Sequence, residues 1–441
     1  MFYILLFAVY GFLIYFKPKY GLALILIFLP TYQIKFQIAE IPFTFLEIMI
    51  LISFFCWAIK KWKNLAVGQL RDLLDDWFLP ICLWLLVSTT AVFIAPDLRA
   101  AAGVWRAYFV EPILFLLVLL DLAENKMNKE SILDIIFFGL SVSAFGCSIW
   151  AVLQKWFGGG VWSMEVWGQP EIWRATGPFS HPNFLGLYLA PAIILGIGIL
   201  IANARKNFGL VIYYSLFIIL TFWALVLTRS EGAMVGMVAG LLFLGIIFKK
   251  SRKYVLIGLA AAILLVAICP ASRYYILEKA FLRDLSGEFR LNIWSGAVSL
   301  LETSPIFGVG LDGYEKLIVD YQANNFVAGG GQTFFAPIQP YPHNLFLAVW
   351  LELGLAGMII FIWILIKFFR RGFKNVKNNA IISSTAMGMM VCVLVHGLVD
   401  TPYFKNDLAI VFWLIVGLGI ILGNLKKDGM VKKESLARSK I

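Results

Sequence analysis

The chain has 441 residues, 61% of them hydrophobic and only 14% charged, with a mean hydropathy of +0.85. A soluble domain is close to half apolar, so a soluble fold is excluded. The formal net charge of +11 does not signal nucleic acid, because the basic residues sit in short hinges between apolar runs and read as topology signals.

A helix needs roughly 20 apolar residues to cross the hydrocarbon. Runs of that kind lie near 2–16, 20–31, 43–60, 77–95, 101–121, 131–154, 183–202, 209–228, 232–248, 254–269, 345–369, 380–399 and 408–424. The first two are short enough to form one tight hairpin, which gives about 12–13 transmembrane helices. No Lys or Arg precedes Lys17 and no small-residue cleavage site follows it, so the first run is expected to be a retained helix rather than a signal peptide. Cys56, Cys82, Cys147, Cys269 and Cys392 all lie in or beside apolar runs without a CxxC. Neither disulfides nor a cysteine metal site are expected.

Basic residues concentrate in alternate hinges. Those at 17–19, 60–71, 126–129, 205–206, 249–253, 367–377 and in the tail hold 25 of the 37 Lys and Arg, and the positive-inside rule makes them cytoplasmic. The expected fold class is an all-α polytopic membrane protein, one integral membrane unit over 1–441. It has an outer loop at 155–182, a large extracytoplasmic loop at 270–344 and a cytoplasmic basic tail at 425–441. The large loop is too long for a plain connection. Its part 288-EFRLNIWSGAVSLLETSP-305 spaces Ile293, Ala297, Leu300 and Leu301 on one helical face and ends at Pro305, as an amphipathic helix does.

Chemistry gathers on the outer side. In 225-LVLTRSEGAMVGMVAG-240, Arg229 stands between two uncharged runs. If Ser230 caps the following helix, its first N–H groups and the guanidinium converge into an anion site. Snorkelling to headgroups and pairing with Glu231 are the alternatives. His343, in 341-YPHNLFLAVWLELG-354, opens a long apolar helix, and its imidazole is able to take a proton near neutral pH; a plain polar helix start is the alternative. Asn344 reads as a cap or as a ligand-binding amide. Arg290 heads the amphipathic helix beside Trp294, where a solvated face or a headgroup anchor would also explain it.

Arg174 opens 174-RATGPFSHPNFLGLYLAP-191, with His181 and Asn183 at the next helix start; His181 is expected to hydrogen-bond locally. Arg106 and Glu111 lie inside an apolar run. Five residues apart is about 140° of α-helix, so each is expected to have its partner elsewhere, and Arg106 is a candidate for substrate. His396 and Asp400 are four apart, which suits a structural hydrogen bond. The match 308-GVGLDG-313 to G-x-G-x-x-G lacks the strand and helix that give that fingerprint meaning and reads as a turn. No carboxylate pair at ligand spacing appears on the outer side, and 72-DLLDD-76 reads as a solvated cytoplasmic face, so no metal site is expected.

In order, "RATGPFSHPNFLGLYL", "LTRSEGA", "FRLNIWSGAVSLLETSPIFGVGLDGY" and "YPHNLFLAVWLELGLAG" resemble the O-antigen ligase and O-antigen polymerase superfamily of membrane glycosyltransferases. His181 departs from the asparagine more common in that family before the Pro-Asn pair. The resemblance implies a GT-C-like helical fold and no cofactor. It implies transfer of a glycan from undecaprenyl pyrophosphate to a hydroxyl of a glycan or lipid-linked acceptor, with inversion, at the outer face of the bacterial cytoplasmic membrane. It assigns the pyrophosphate to Arg229 and Arg290 and the base, or acceptor-orienting group, to His343. Arg174, Asn183, Ser230, Asn344 and Arg106 are then expected to line the substrate. A lipid-linked glycan transporter is the competing reading. It calls for mid-membrane charges and paired broken helices in repeats, and the sequence shows polar residues at the outer mouth and no repeat.

Overall fold

The structure, a computed structural model, describes residues 2–38, 40–61, 67–124, 129–164, 171–203, 207–328, 331–376 and 380–438. Lys63, Lys126, Arg205, Lys206, Lys377, Lys440, part of the predicted 155–182 loop and the tail's side chains lie outside the described residues.

The chain begins with α1 (Phe2–Phe16) and α2 (Pro18–Ile27). The antiparallel hairpin β1 (Lys35–Ile38) and β2 (Ile41–Thr44) follows, then α3 (Phe45–Lys61), α4 (Val67–Leu74), α5 (Phe78–Ile94) and α6 (Leu98–Trp105). A π turn over Arg106–Val110 leads into α7 (Glu111–Glu124), then α8 (Lys129–Phe157). A second hairpin, β3 (Val161–Met164) and β4 (Glu171–Arg174), precedes α9 (Pro182–Asn203), α10 (Phe208–Thr228), α11 (Glu231–Ile247) and α12 (Lys249–Ile268). The long connection folds as α13 (Pro270–Ala280), α14 (Leu285–Thr303), α15 (Gly313–Leu317) and the hairpin β5 (Asn325–Ala328) and β6 (Gln332–Phe335). The chain closes with α16 (Leu345–Asn375), α17 (Ala380–His396) and α18 (Asn406–Arg438).

Each predicted apolar run is helical, as it must be where lipid offers no hydrogen-bond partner. Seven helical stretches are long and apolar enough to cross a membrane, and four more are apolar but shorter. Length and composition alone thus support seven of the 12–13 expected crossings among the described residues. The protein is an all-α polytopic membrane protein.

The core lies along α18. Its Asn406–Gly423 stretch is 94% buried, whereas the apolar part of α12 is 0% buried against the rest of the chain. Trp84, Phe109, Phe361, Tyr403, Phe412 and Trp413 are all fully buried around α18, in edge-to-face and tilted contacts of the kind aromatic rings prefer.

Small residues then set one helix against another. Gly232, Gly236 and Gly240 repeat every fourth residue along one face of α11. A Cβ at Gly236 would lie 2.8 Å from the Cys392 carbonyl, and one at Gly240 2.6 Å from that of Gly388. Such stripes let backbones approach where no hydrophobic force drives helices together. The stripe carries the α11 N-terminus onto His396 and Val399, 2.9 Å from a Cβ built at Gly232.

The amphipathic face of α14 is as expected: Ile293, Ala297, Leu300 and Leu301 are buried and the helix ends just before Pro305. The segment 308–313 is a turn, with Gly308, Gly310 and Asp312 at positive φ. It is stitched to α16 and α5 through Val309 N–H to the Leu351 carbonyl and Leu311 N–H to that of Ala91. α16 breaks at Gly354, whose φ of 69° and ψ of −174° belong to a region open essentially to glycine alone.

Candidate functional site

The two hairpin-like seams α8–α9 and α10–α11, the start of α16 and the α17–α18 connection meet at one end of the bundle. Arg229 ends α10 in the left-handed region, φ 50° and ψ 30°. Non-glycine residues seldom hold that conformation, and where they do the strain is about 1–3 kcal/mol. It turns the side chain outward: Arg229 is exposed, and its guanidinium makes no hydrogen bond or ion pair among the described residues. Glu231 is not its partner. That carboxylate accepts from the Tyr275 hydroxyl at 3.1 Å and pairs with Lys279 at 3.0 Å. Ser230 occupies the N-cap position of α11 as predicted, but its side chain makes no capping bond. It is buried, and its Oγ stands 3.2 Å from a Cβ built at Gly186. Its backbone N–H bonds to Thr228 Oγ1 at 3.1 Å. The first N–H groups of α11 therefore lack intrahelical partners, beside an unneutralised guanidinium.

Arg174 fastens this seam. Its Nε donates to the Thr228 carbonyl at 2.8 Å and its second nitrogen to Asn183 Oδ1 at 2.7 Å. The last turn of α10 and the first of α9 are thus tied through one side chain. Arg174 and Asn183 spend these contacts on each other, so they position the seam. His181 bonds locally as expected: its Nδ1 accepts from the Asn183 N–H at 3.2 Å. Burial, then the Arg174 charge, lower its pKa to about 4, so the ring is neutral at physiological pH.

Arg290 comes from α14. Its Nε donates to the Val399 carbonyl at 3.1 Å and its NH1 to Ser286 Oγ at 2.7 Å. One turn on, Trp294 donates to the Pro342 carbonyl at 2.9 Å, and Tyr341 stacks on Phe404 with ring centroids 4.8 Å apart. These contacts fix the approach to His343, which itself sits at φ 47°. Asn344 caps α16: its Oδ1 accepts from the Leu347 N–H at 3.0 Å while its Nδ2 donates to the Leu398 carbonyl at 3.1 Å. Of the two roles open to that amide, the structure fills the cap.

His343 Nδ1 faces Asp400 Oδ1 at 3.6 Å, beyond hydrogen-bond reach but within that of charge. Nδ1 is buried with no other partner. Asp400 was expected to bond His396. That Nε2 lies 3.9 Å from Oδ2, so Asp400 stands between two imidazoles, and its one close bond is from the Thr401 N–H at 2.8 Å. Burial pushes the Asp400 carboxyl up, but His343 and His396 more than offset this and hold it well below the usual carboxylate range. The connection 396–400 is the hub: Val399 takes Arg290 and touches the α11 N-terminus, and Asp400 takes His343.

Arg106 is not in this cluster. Its guanidinium donates to the Pro42 carbonyl at 2.7 Å and to Glu47 at 3.1 Å, and lies over the Phe43 ring. Its Nε stands 3.5 Å from Glu111, contrary to the expectation that the two face apart. The 140° separation assumed α-helix. The intervening turn is π-helical, which bonds i to i+5 and stacks residues five apart. Two residues escaped the sequence reading. Asp400 was noted only for its neighbour His396, and Lys405 was not noted. Its signal was a cation inside the apolar context 402-PYFKNDLAI-410.

Fold and site define a membrane-embedded helical protein with arginines and an Asp-backed histidine gathered at one end of its bundle. Residues 216–362 match the model of the O-antigen ligase family, a stretch that holds Arg229, Arg290 and His343. A putative polysaccharide ligase of Rickettsia conorii is 25% identical over 196 residues, 42% of this chain and 44% of that protein. The O-antigen ligase of Pseudomonas aeruginosa is 26% identical over 180 residues, 41% and 39% of the two chains. The chain thus spans less than half the length of the curated relatives it matches. These matches make the chain similar to the O-antigen ligase family over part of its length.

Proposed function

We propose that the protein is an inverting membrane glycosyltransferase that moves a glycan from undecaprenyl pyrophosphate to an acceptor hydroxyl at the outer face of the bacterial cytoplasmic membrane. The observation that carries this reading is the 396–400 hub, which gathers Arg290, His343 and the α11 N-terminus beside the unpaired Arg229.

The chemistry follows from that arrangement. Asp400 favours the tautomer of His343 that keeps its proton on Nδ1, leaving Nε2 free as a base, the role a carboxylate plays behind a catalytic imidazole. Nε2 takes the acceptor hydroxyl proton as the oxygen attacks the anomeric carbon. The bond from that carbon to the diphosphate oxygen breaks, and its electron pair leaves with the diphosphate. Arg229, Arg290 and the α11 N–H groups receive the growing negative charge without reorganising. Two guanidiniums and a helix N-terminus supply the charge, so the step is written without a metal.

The test uses full-length protein in lipid nanodiscs with undecaprenyl-pyrophosphate-linked glycan and candidate acceptors, with chelator present. Wild type should transfer. Arg229→Ala and Arg290→Ala should each lower kcat by about 10²–10³-fold, and His343→Ala by about 10²–10⁴-fold. Asp400→Asn should fall in the lower part of that histidine range. Full activity in both arginine variants, or activity abolished by chelator and restored by a divalent ion, would overturn the reading.

A further inference from the structure

Lys405 immediately precedes α18. A helix N-terminus carries partial positive charge and favours anions, so an ammonium there is misplaced, and withdrawing it from water costs more. Its Nζ donates to the Tyr32 hydroxyl at 3.0 Å and lies over the Phe184 ring, 2.8 Å from the centroid. An ammonium has three donors, and no carboxylate among the described residues lies within ion-pair distance. Burial, and to a lesser degree the like charge of Lys35, pull its pKa down to about 7 against the counter-effect of Asp407 and Asp400. Lys35 is exposed on β1, and its ammonium makes no hydrogen bond or ion pair among the described residues.

His181 reaches the same spot. Its ring centroid is 5.5 Å from that of Phe184. Because Nδ1 accepts from Asn183, the neutral ring carries its proton on Nε2, for which no acceptor stands among the described residues. Two donors thus meet at Phe184 with little to donate to, and Lys35 stands on β1 just beyond Tyr32. They adjoin the site along the chain: Lys405 follows Asp400 in the same α17–α18 connection, and Asn183, from whose N–H His181 accepts, takes the Arg174 guanidinium at the seam.

We propose that Lys405, Lys35 and the Nε2–H of His181 form a second anion subsite, which takes a phosphate or carboxylate substituent of the acceptor glycan. Charge-assisted bonds to such a group are the strong ones. The assignment rests on the reading in which Arg229 and Arg290 hold the donor diphosphate, because only then does an anion beside His343 belong to the acceptor.

The experiment measures binding of full-length protein in nanodiscs to one oligosaccharide in three forms: phosphorylated, uronic acid and neutral. Wild type should bind at least one charged form about tenfold more tightly than the neutral form. The charged form it prefers identifies the group. Lys405→Met should bring that ratio towards one, and Lys405→Arg, which keeps the charge, should retain most of it. Equal affinity of wild type for all three forms would overturn the proposal, as would a preference that survives in Lys405→Met. Binding of undecaprenyl pyrophosphate to Arg229→Ala and Arg290→Ala is read in parallel. Undiminished donor binding there would sink the donor assignment while leaving the Lys405 ratios to stand or fall alone.

Discussion

Among single residues, the site is marked more by what its side chains lack than by what they hold. Among the described residues, Arg229 has no counter-ion because Tyr275 and Lys279 have taken Glu231, and Lys405 has only a hydroxyl and two aromatic faces. Arg229 and His343 both hold positive φ, a strain that persists only where the surroundings over-determine it. His181 gives this scale a measurable consequence. Its folded pKa, about 4, lies below the unfolded value of about 6.5. Above that unfolded value both states are neutral and the residue contributes nothing to pH dependence. As pH falls from there towards 4, the unfolded chain binds a proton that the folded one refuses, so stability drops. Asp400 adds nothing in that window, since its carboxylate is ionised in both states. His181→Asn should therefore lose less of its unfolding midpoint between pH 7 and pH 5 than wild type does, measured by thermal unfolding in detergent. Parallel curves for the two proteins would contradict the argument.

At the level of helices and turns, what was legible in the sequence is what repeats at short range. The apolar runs and the buried face of α14 follow a period the sequence displays directly, and the seam shows as the one charged break between two uncharged runs, although Ser230 at the N-cap position makes no capping bond. The π turn at Arg106–Val110 has no such mark: nothing in RAYFV distinguishes i→i+5 from i→i+4 bonding, so the Arg106–Glu111 contact was invisible. Asp400 and His343 are distant in sequence and meet only because Leu345 and Asn344 bond to Gly397 and Leu398, a tertiary fact. The break in α16 lies between these cases, since the glycine is visible and its role is not. A Cβ at Gly354 would collide with the Ile306 carbonyl and lie 2.7 Å from that of Phe307, where the Leu355 N–H meets Ile306. Gly354→Ala should thus lose about 1–3 kcal/mol to backbone strain, with the clash added. The segment 305–313 should loosen beneath α14 and hence beneath Arg290. Limited proteolysis should then cut in 305–313 faster than in wild type; an unchanged cleavage rate with an unchanged unfolding midpoint would refute this.

For the molecule as a whole, ion pairs stand at both ends of the bundle. At the end away from the site, Asp76 takes Lys367 and Arg371, each at 2.9 Å, and Asp121 takes Lys61 at 2.8 Å; at the other end, Lys279 pairs with Glu231 and Asp284, and Lys316 with Asp97. At the site end, Arg229, Lys35 and Lys405 have no ion-pair partner among the described residues. The basic hinges fall at the end away from the site, and the positive-inside rule assigns that end to the cytoplasm. On the proposed function the site faces outward, the side on which a carrier-linked glycan would be met. Exposed positions at each end make this testable. In a background with the five native cysteines replaced by alanine or serine, Ser180→Cys at the site end should react with a membrane-impermeant maleimide added to intact cells. Lys374→Cys, exposed near the end of α16, should react only after the membrane is opened. The reverse pattern would turn the molecule over, and with it the argument that its unpaired cations wait for a substrate delivered from outside.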